Sequence, residues 1–143
     1  MYAPHTVTLY LSVENKVDLT VAHYITVLDG VLLDASKAAN IRATGLTGAD
    51  AANLYIPFSV RATDGESGAI KTYVDPKEFD KAADKSLLWT LDERCFFVKG
   101  SVIDVEANFQ NINKEHDDVY RVTKVDKKDF GSVAMQHFEV GGA

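Results

Sequence analysis

Along much of the chain, apolar residues recur at every second position, the spacing of a strand with one face buried. Val7, Leu9 and Leu11 alternate with Thr6, Thr8, Tyr10 and Ser12, which predicts an opening strand with its aliphatic side chains on one face. From Val21 to Leu33 the β-branched and aromatic residues Val21, Tyr24, Ile25, Thr26, Val27 and Val31 suit a pleated sheet. Asp29-Gly30 interrupts this run and predicts either a tight hairpin or a glycine bulge in one long bent strand. The polar turn Glu14-Asn15-Lys16 lets the two segments pair as an antiparallel meander. Asn53 to Phe58 returns to strand composition, but Pro57 has no amide to donate, so this strand lies at an edge or ends there. Further strand material is Leu88–Leu91 and Arg94–Val105, the latter bent or bulged at Gly100. Val119–Val125 and Ser132–Val140 read as a closing hairpin across Asp126, Lys127, Lys128, Asp129 and Gly131.

The clearest helix start is Asp75-Pro76-Lys77-Glu78-Phe79, with Asp75 as N-cap, Pro76 in the first position and Glu78 in the third. It predicts a short helix over 76–84 with Phe79 and Ala83 on one face. Residues 35–50 are small and polar and read as a loop, as does the glycine-bearing stretch Ser59 to Thr72. Asn108 to Asp118 reads as a connection with one helical turn. About seven strands and one short helix predict a mainly β fold, an antiparallel β-barrel or sandwich with long polar loops, in a single domain spanning residues 1–143. Alternation and strand-centre apolarity place Val7, Leu9, Val27, Val31, Tyr55, Phe97, Val122 and Val140 inside.

Composition narrows the class without changing that picture. With 46% apolar and 25% charged residues, the 143-residue chain is an ordered globular domain rather than a disordered or fibrous one. Its net charge of −6 argues against wholesale neutralisation of nucleic-acid phosphates. No uninterrupted apolar stretch is long enough to span a bilayer and no signal-peptide pattern opens the chain, so cytoplasmic synthesis without membrane insertion is the expectation.

Candidate chemistry is sparse. The chain contains neither a phosphate-cradling glycine loop nor a C-x-x-C or H-x-x-x-H pair, and His5, His23, His116 and His137 are scattered. His116-Asp117-Asp118 reads as a solvated turn, since adjacent side chains point apart. His137 reads as a hydrogen-bonded structural histidine and Trp89 as core or interface. The single cysteine, Cys95, lies in the apolar run Cys95-Phe96-Phe97-Val98 and reads as a small buried hydrophobe. Lys124, Lys127 and Lys128 interleave with Asp126 and Asp129, as in a solvated hairpin tip. No enzyme activity, cofactor or metal is expected, although distant carboxylates could still meet in the fold.

Read in order, several segments resemble small structural proteins of tailed bacteriophages and prophages. They are Thr6-Val7-Thr8-Leu9-Tyr10, Val27-Leu28-Asp29-Gly30-Val31, and Gly45-Leu46-Thr47-Gly48-Ala49-Asp50 running into Tyr55-Ile56-Pro57-Phe58. Trp89-Thr90-Leu91, Phe97-Val98-Lys99-Gly100, Asp117-Asp118-Val119 and Gly131-Ser132 through His137-Phe138-Glu139-Val140 continue the series. The Val-x-Gly strand and terminal His-x-x-Val strand are similar to head-closure, or stopper, proteins, although Glu93-Arg94 stands where related sequences often have Gly-Asp. The resemblance implies a β-barrel subunit of a homo-oligomeric ring in the head-tail connector, or neck, between portal or adaptor and tail. Such a protein would be assembled in the bacterial cytoplasm and would work in the virion, with packaged DNA nearby but not specifically bound and no membrane involved. A tail-completion, tail-tube or capsid-decoration protein is the structural alternative, and a small-ligand or carbohydrate-binding β-barrel the alternative from another class. Within the ring reading, the loop Ser59 to Thr72 is the expected partner- or lumen-contacting segment, offering Arg61, Asp64, Glu66 and Lys71.

Overall fold

The computed structural model describes residues 2–14, 17–36, 51–102 and 109–143. In chain order its elements are β1 (His5–Glu14), β2 (Val21–Ser36), β3 (Ala51–Pro57), β4 (Arg61–Asp64), β5 (Thr72–Tyr73), α1 (Pro76–Lys81), β6 (Leu88–Trp89), β7 (Cys95–Lys99), α2 (Phe109–Glu115), β8 (Val119–Lys128) and β9 (His137–Gly142). Six strands pair in the order β1-β7-β8-β9-β3-β2, and β2 returns to β1, so the sheet closes into an antiparallel barrel. β4 adds a seventh strand alongside β2, and β5 and β6 form a small parallel pair.

Closure depends on two long strands that change partners partway along their length. Residues 21–31 of β2 pair with β1, whereas residues 32–36 pair with β3. At the change His5 faces Val31 and Thr6 faces Asp29, so Gly30 is an extra residue, held at φ +96°. It is the glycine bulge in one long strand, not a hairpin. β8 repeats the device: residues 119–121 pair with β7 and the rest with β9, and Thr123 is the unmatched residue between Val122 and Lys124. Bulges of this kind bend a strand and raise its twist, which turns β2 and β8 into corners of the barrel.

The interior is filled by Val7, Leu9, Leu11, Leu28, Val31, Leu54, Ile56, Phe97, Tyr120, Val122, Phe138 and Val140. Trp89 and Phe79 of α1 join the same core, and Phe79 packs edge-on against Tyr24 at 5.4 Å. A second apolar layer lies outside the barrel, where Ile112 of α2 covers Tyr10, Ile25, Phe96, Val98 and Val119. The Tyr10 and Phe96 rings stack there 4.7 Å apart. Because both faces of β1 are covered, Thr8 and Tyr10 are as buried as Val7, Leu9 and Leu11, with which they alternate. The Thr8 hydroxyl donates to the Gly100 carbonyl at 2.7 Å and accepts from the Val102 amide at 2.9 Å, so its burial leaves no unmet polar group.

Several sequence expectations are corrected by this architecture. The bulge at Gly30 shifts the phase of β2, so Leu28 rather than Val27 points inward. In β3 Leu54 and Ile56 face the core and Tyr55 is half-buried. The described residues include two short α-helices rather than one, since Phe109–Glu115 forms α2. α1 stops at Lys81, which leaves Ala83 exposed. The Asp75 side chain makes no capping hydrogen bond; instead it accepts from Tyr73 and pairs with Lys127, both at 3.4 Å. The strand expected over 88–91 is only Leu88–Trp89, and Gly100, at φ +93°, follows the end of β7 instead of bending its interior. The expected loop lies, over 37–50, outside the described residues, as does the end of the 94–105 strand.

A side chain at Gly30 would meet nothing within 4 Å, so substitution there tests backbone strain alone. Gly30→Val should lower stability by about 1–3 kcal/mol, the cost of holding a β-branched residue at positive φ. A urea midpoint that does not move would show that β2 bends without the left-handed residue.

Candidate functional site

The segment Ser59 to Thr72, read from the sequence as a loop, is in part a strand laid against the barrel. Arg61–Asp64 is a strand on β2, the turn at 65–67 follows, and Ile70 bridges back to Thr63. Gly65 sits so close to β2 that a Cβ there would lie 2.5 Å from Ile25 Cγ2. Arg61 and Glu66 are exposed and Asp64 is partly buried, but Lys71 is only 4% exposed, so the four charged residues do not share one exposed surface.

The Lys71 ammonium donates to the Ile25 carbonyl at 3.0 Å and the Thr26 hydroxyl at 3.1 Å, and pairs with Asp64 at 3.3 Å. Asp64 also accepts from the Glu66 amide, the Ser67 amide and the Ser67 hydroxyl. Burial by itself pushes the Asp64 carboxyl up, but the Ser67 hydrogen bonds and the Lys71 charge outweigh it and hold it below the usual range. Burial draws the Lys71 ammonium down, against the opposing pull of Asp64. Asp64 and Lys71 therefore tie β4 and the following turn to β2.

The other singled-out residues are also occupied structurally. Cys95 is buried, its Sγ faces the Thr90 carbonyl at 3.8 Å, and burial pushes its thiol up to about 12. Arg94 is held by Asp92 at 2.6 Å and Asp80 at 3.1 Å. His137 lies 2.8 Å from the Met135 carbonyl and 3.2 Å from Glu139. Among the described residues no group of three His, Cys, Asp or Glu side chains is placed to hold a metal ion, and no helix is long and apolar enough to cross a membrane.

What the molecule does present is apolar surface. Phe58, Val60, Tyr73, Trp89 and Phe138 line a cleft of about 270 Å³ with Lys127 at its edge. Its rings form one cluster, with Tyr73 4.6 Å from Phe138 and 5.0 Å from Trp89. The β8–β9 connection leaves the strands at this cleft, since Lys127 and Phe138 are cross-strand partners. It carries Phe130, Val133 and Met135, which are 71%, 83% and 56% exposed. Local pattern hides these three because Val133 and Met135 fall within the strand it predicts over Ser132–Val140; the available signal is a phenylalanine between Asp129 and Gly131 in a turn. A second cleft, of about 460 Å³, lies on the outer face of the barrel and is lined by Ser12, His23, Glu93, Arg94, Phe109 and Arg121 among others.

The chain belongs to DUF6751, a family of unknown function, which it matches over residues 2–143. Neither the curated proteins nor the solved structures contain a match to it.

Two measurements check these assignments. Asp64→Ala should destabilise the fold by about 3–5 kcal/mol because it leaves the Lys71 charge buried and unpaired, whereas Lys71→Met should cost markedly less. The Asp64 contribution is present above the ordinary carboxylate pKa of about 3.9 and is lost as pH falls below it through the lowered folded-state value. Equal losses in urea denaturation for the two variants would refute this asymmetry. Cys95, with its thiol near 12, should resist a thiol reagent at pH 8 in the folded protein and react fully once unfolded. Rapid labelling of folded protein would contradict its burial.

Proposed function

We propose that this DUF6751 protein is a structural subunit of a tailed bacteriophage particle, a head-closure or stopper-like neck protein that forms a homo-oligomeric ring between portal or adaptor and tail. In this reading it is not an enzyme. It is synthesised and assembled in the bacterial cytoplasm, works in the virion, and helps to retain DNA by occupying the channel rather than by specific binding. The observation that carries the reading is the exposed apolar group Phe130, Val133 and Met135 beside the aromatic cleft. Several large apolar side chains left exposed within six residues of one connection mark a partner surface. A protruding apolar loop on one subunit and a cleft on the next make a heterologous contact, which closes into a ring if the rotation per subunit permits. The serial resemblance of the segments from Thr6 to Val140 and the six-strand barrel support the same reading. Tail-completion, tail-tube and capsid-decoration roles are the structural alternatives at other places in the particle.

Sedimentation at rising concentration should show the chain passing to a defined oligomer. Phe130→Ser combined with Met135→Ser should hold it monomeric with an unchanged circular dichroism spectrum, because both side chains are exposed. Deleting the gene from the phage or prophage that carries it should give filled heads that fail to join tails or lose their DNA. A chain that stays monomeric at all concentrations and is absent from purified particles would overturn the reading.

A further inference from the structure

The connection from β1 to β2 carries apolar side chains that its own chain does not cover. Val17 is 95% exposed and Leu19 74% exposed, and Val21, where β2 begins, is exposed as well. The Asp18 carboxylate accepts from the Thr20 hydroxyl at 2.7 Å and the Thr20 amide at 3.1 Å, and these bonds hold its carboxyl below the usual range. Bracketed by that pair, Leu19 sits at φ +59°, the one non-glycine among the described residues in the left-handed region. A leucine there is strained, and at this exposure it gains little packing within its own chain. β1 and β8 both run antiparallel to β7, so the connections that follow them leave the same end of the barrel. That end therefore holds both this apolar tip and the aromatic cleft, which lies where β8 passes into β9. The two are not neighbours. β9 stands three places from β1 in either direction round the six-strand ring, so tip and cleft face different sides.

We infer that the aromatic cleft receives the β1–β2 tip of a second copy of this chain, with Leu19 and Val17 seated among Phe58, Tyr73 and Phe138. This inference rests on the ring reading above and names the contact that would build the ring. The cleft suits protruding side chains better than a cofactor. At about 270 Å³ it is smaller than most small-molecule sites, roughly 300–1,000 Å³, and Lys127 is the one charged group in its lining. Charge matches as well as shape. Asp18 is exposed beside Leu19 on the tip, and Lys127 stands at the cleft's edge, where its 3.4 Å surface pair with Asp75 holds it weakly. Phe130, Val133 and Met135 of the receiving copy extend the apolar rim. Because donor and acceptor face different sides of one end, each copy can give its tip to one neighbour and take a tip from the other, the head-to-tail contact that closes a ring. A two-fold dimer using both contacts would need them on one face.

Paired cysteines in the full chain test the contact, since its own Cys95 is buried. Leu19→Cys mixed with Phe58→Cys under mild oxidation should give a disulfide-linked heterodimer, whereas neither variant alone should link to itself. Leu19→Asn replaces the apolar side chain with one that tolerates the left-handed region. In dilute, monomeric protein its unfolding midpoint should equal or exceed the parent's, while self-association weakens by about tenfold or more. An oligomer that forms without the mixed link, or that Leu19→Asn leaves at full strength, would overturn this contact and leave the ring reading standing. Self-linking of Leu19→Cys alone would reveal a two-fold contact and overturn the head-to-tail assignment. A parent chain that stays monomeric at every concentration would overturn the contact and the ring reading together.

Discussion

Everything else in this molecule depends on two long strands each serving two partners. A flat antiparallel sheet would leave β1 and β2 as ordinary neighbours and expose two edges. Instead β2 bends at Gly30 and passes from β1 to β3, and β8 bends at Thr123 and passes from β7 to β9. The extra residue at each point rotates the strand, and the two rotations close the ring of hydrogen bonds. The apolar interior follows from closure, since only a closed sheet brings Leu28 and Val31 of one corner into the same core as Tyr120 and Val122 of the other.

Closure also explains why a buried ion pair is tolerated at the barrel's edge. β4 is short and lies outside the six-strand ring, with four residues paired to β2. Strand pairing of that length is weak by itself. Lys71 reaches under the turn to the Ile25 carbonyl and the Thr26 hydroxyl, while Asp64 gathers the turn's amides from the other side. The pair fixes where β4 lies, a case of polar burial serving position more than net stability.

The parts of this fold legible in the sequence are those governed by local pattern. Val7, Leu9 and Leu11 alternate and are inside; Asp29-Gly30 signals a bulge and is one; Asp75-Pro76 starts a helix and does so. The parts that were not legible depend on what lies on the second face of a strand. Tyr10 and Phe96 are buried because α2 comes to cover them, a non-local event that alternation does not encode. The polar, glycine-bearing stretch around Asp64 to Lys71 has loop composition, yet its lysine is enclosed because the ammonium finds three oxygen partners in the folded chain. Arg121 carried no sequence signal, being one basic residue in a strand, and its guanidinium meets the Phe109 ring only because α2 comes to lie over β8.

The cleft on the outer face of the barrel has the same geometric origin as the covered layer beside it. α2 has seven residues, so its axis is about 10 Å long at 1.5 Å per residue. The outer face it meets spans β2, β1, β7 and β8, three gaps of about 4.8 Å each, or about 14 Å. A helix of that length and about 10 Å across covers one row of side chains and part of the next. The row it covers is aromatic and aliphatic, with Tyr10, Phe96 and Ile25; the row beyond it is polar, with Ser12 and His23. Residue type changes from apolar to hydrogen-bonding where the helix runs out, and Arg121, on the covered row but at its outer edge, turns its guanidinium onto the helix's first aromatic ring. A short helix on a broad barrel face therefore produces both the second core and a polar recess bordered by aromatic rings.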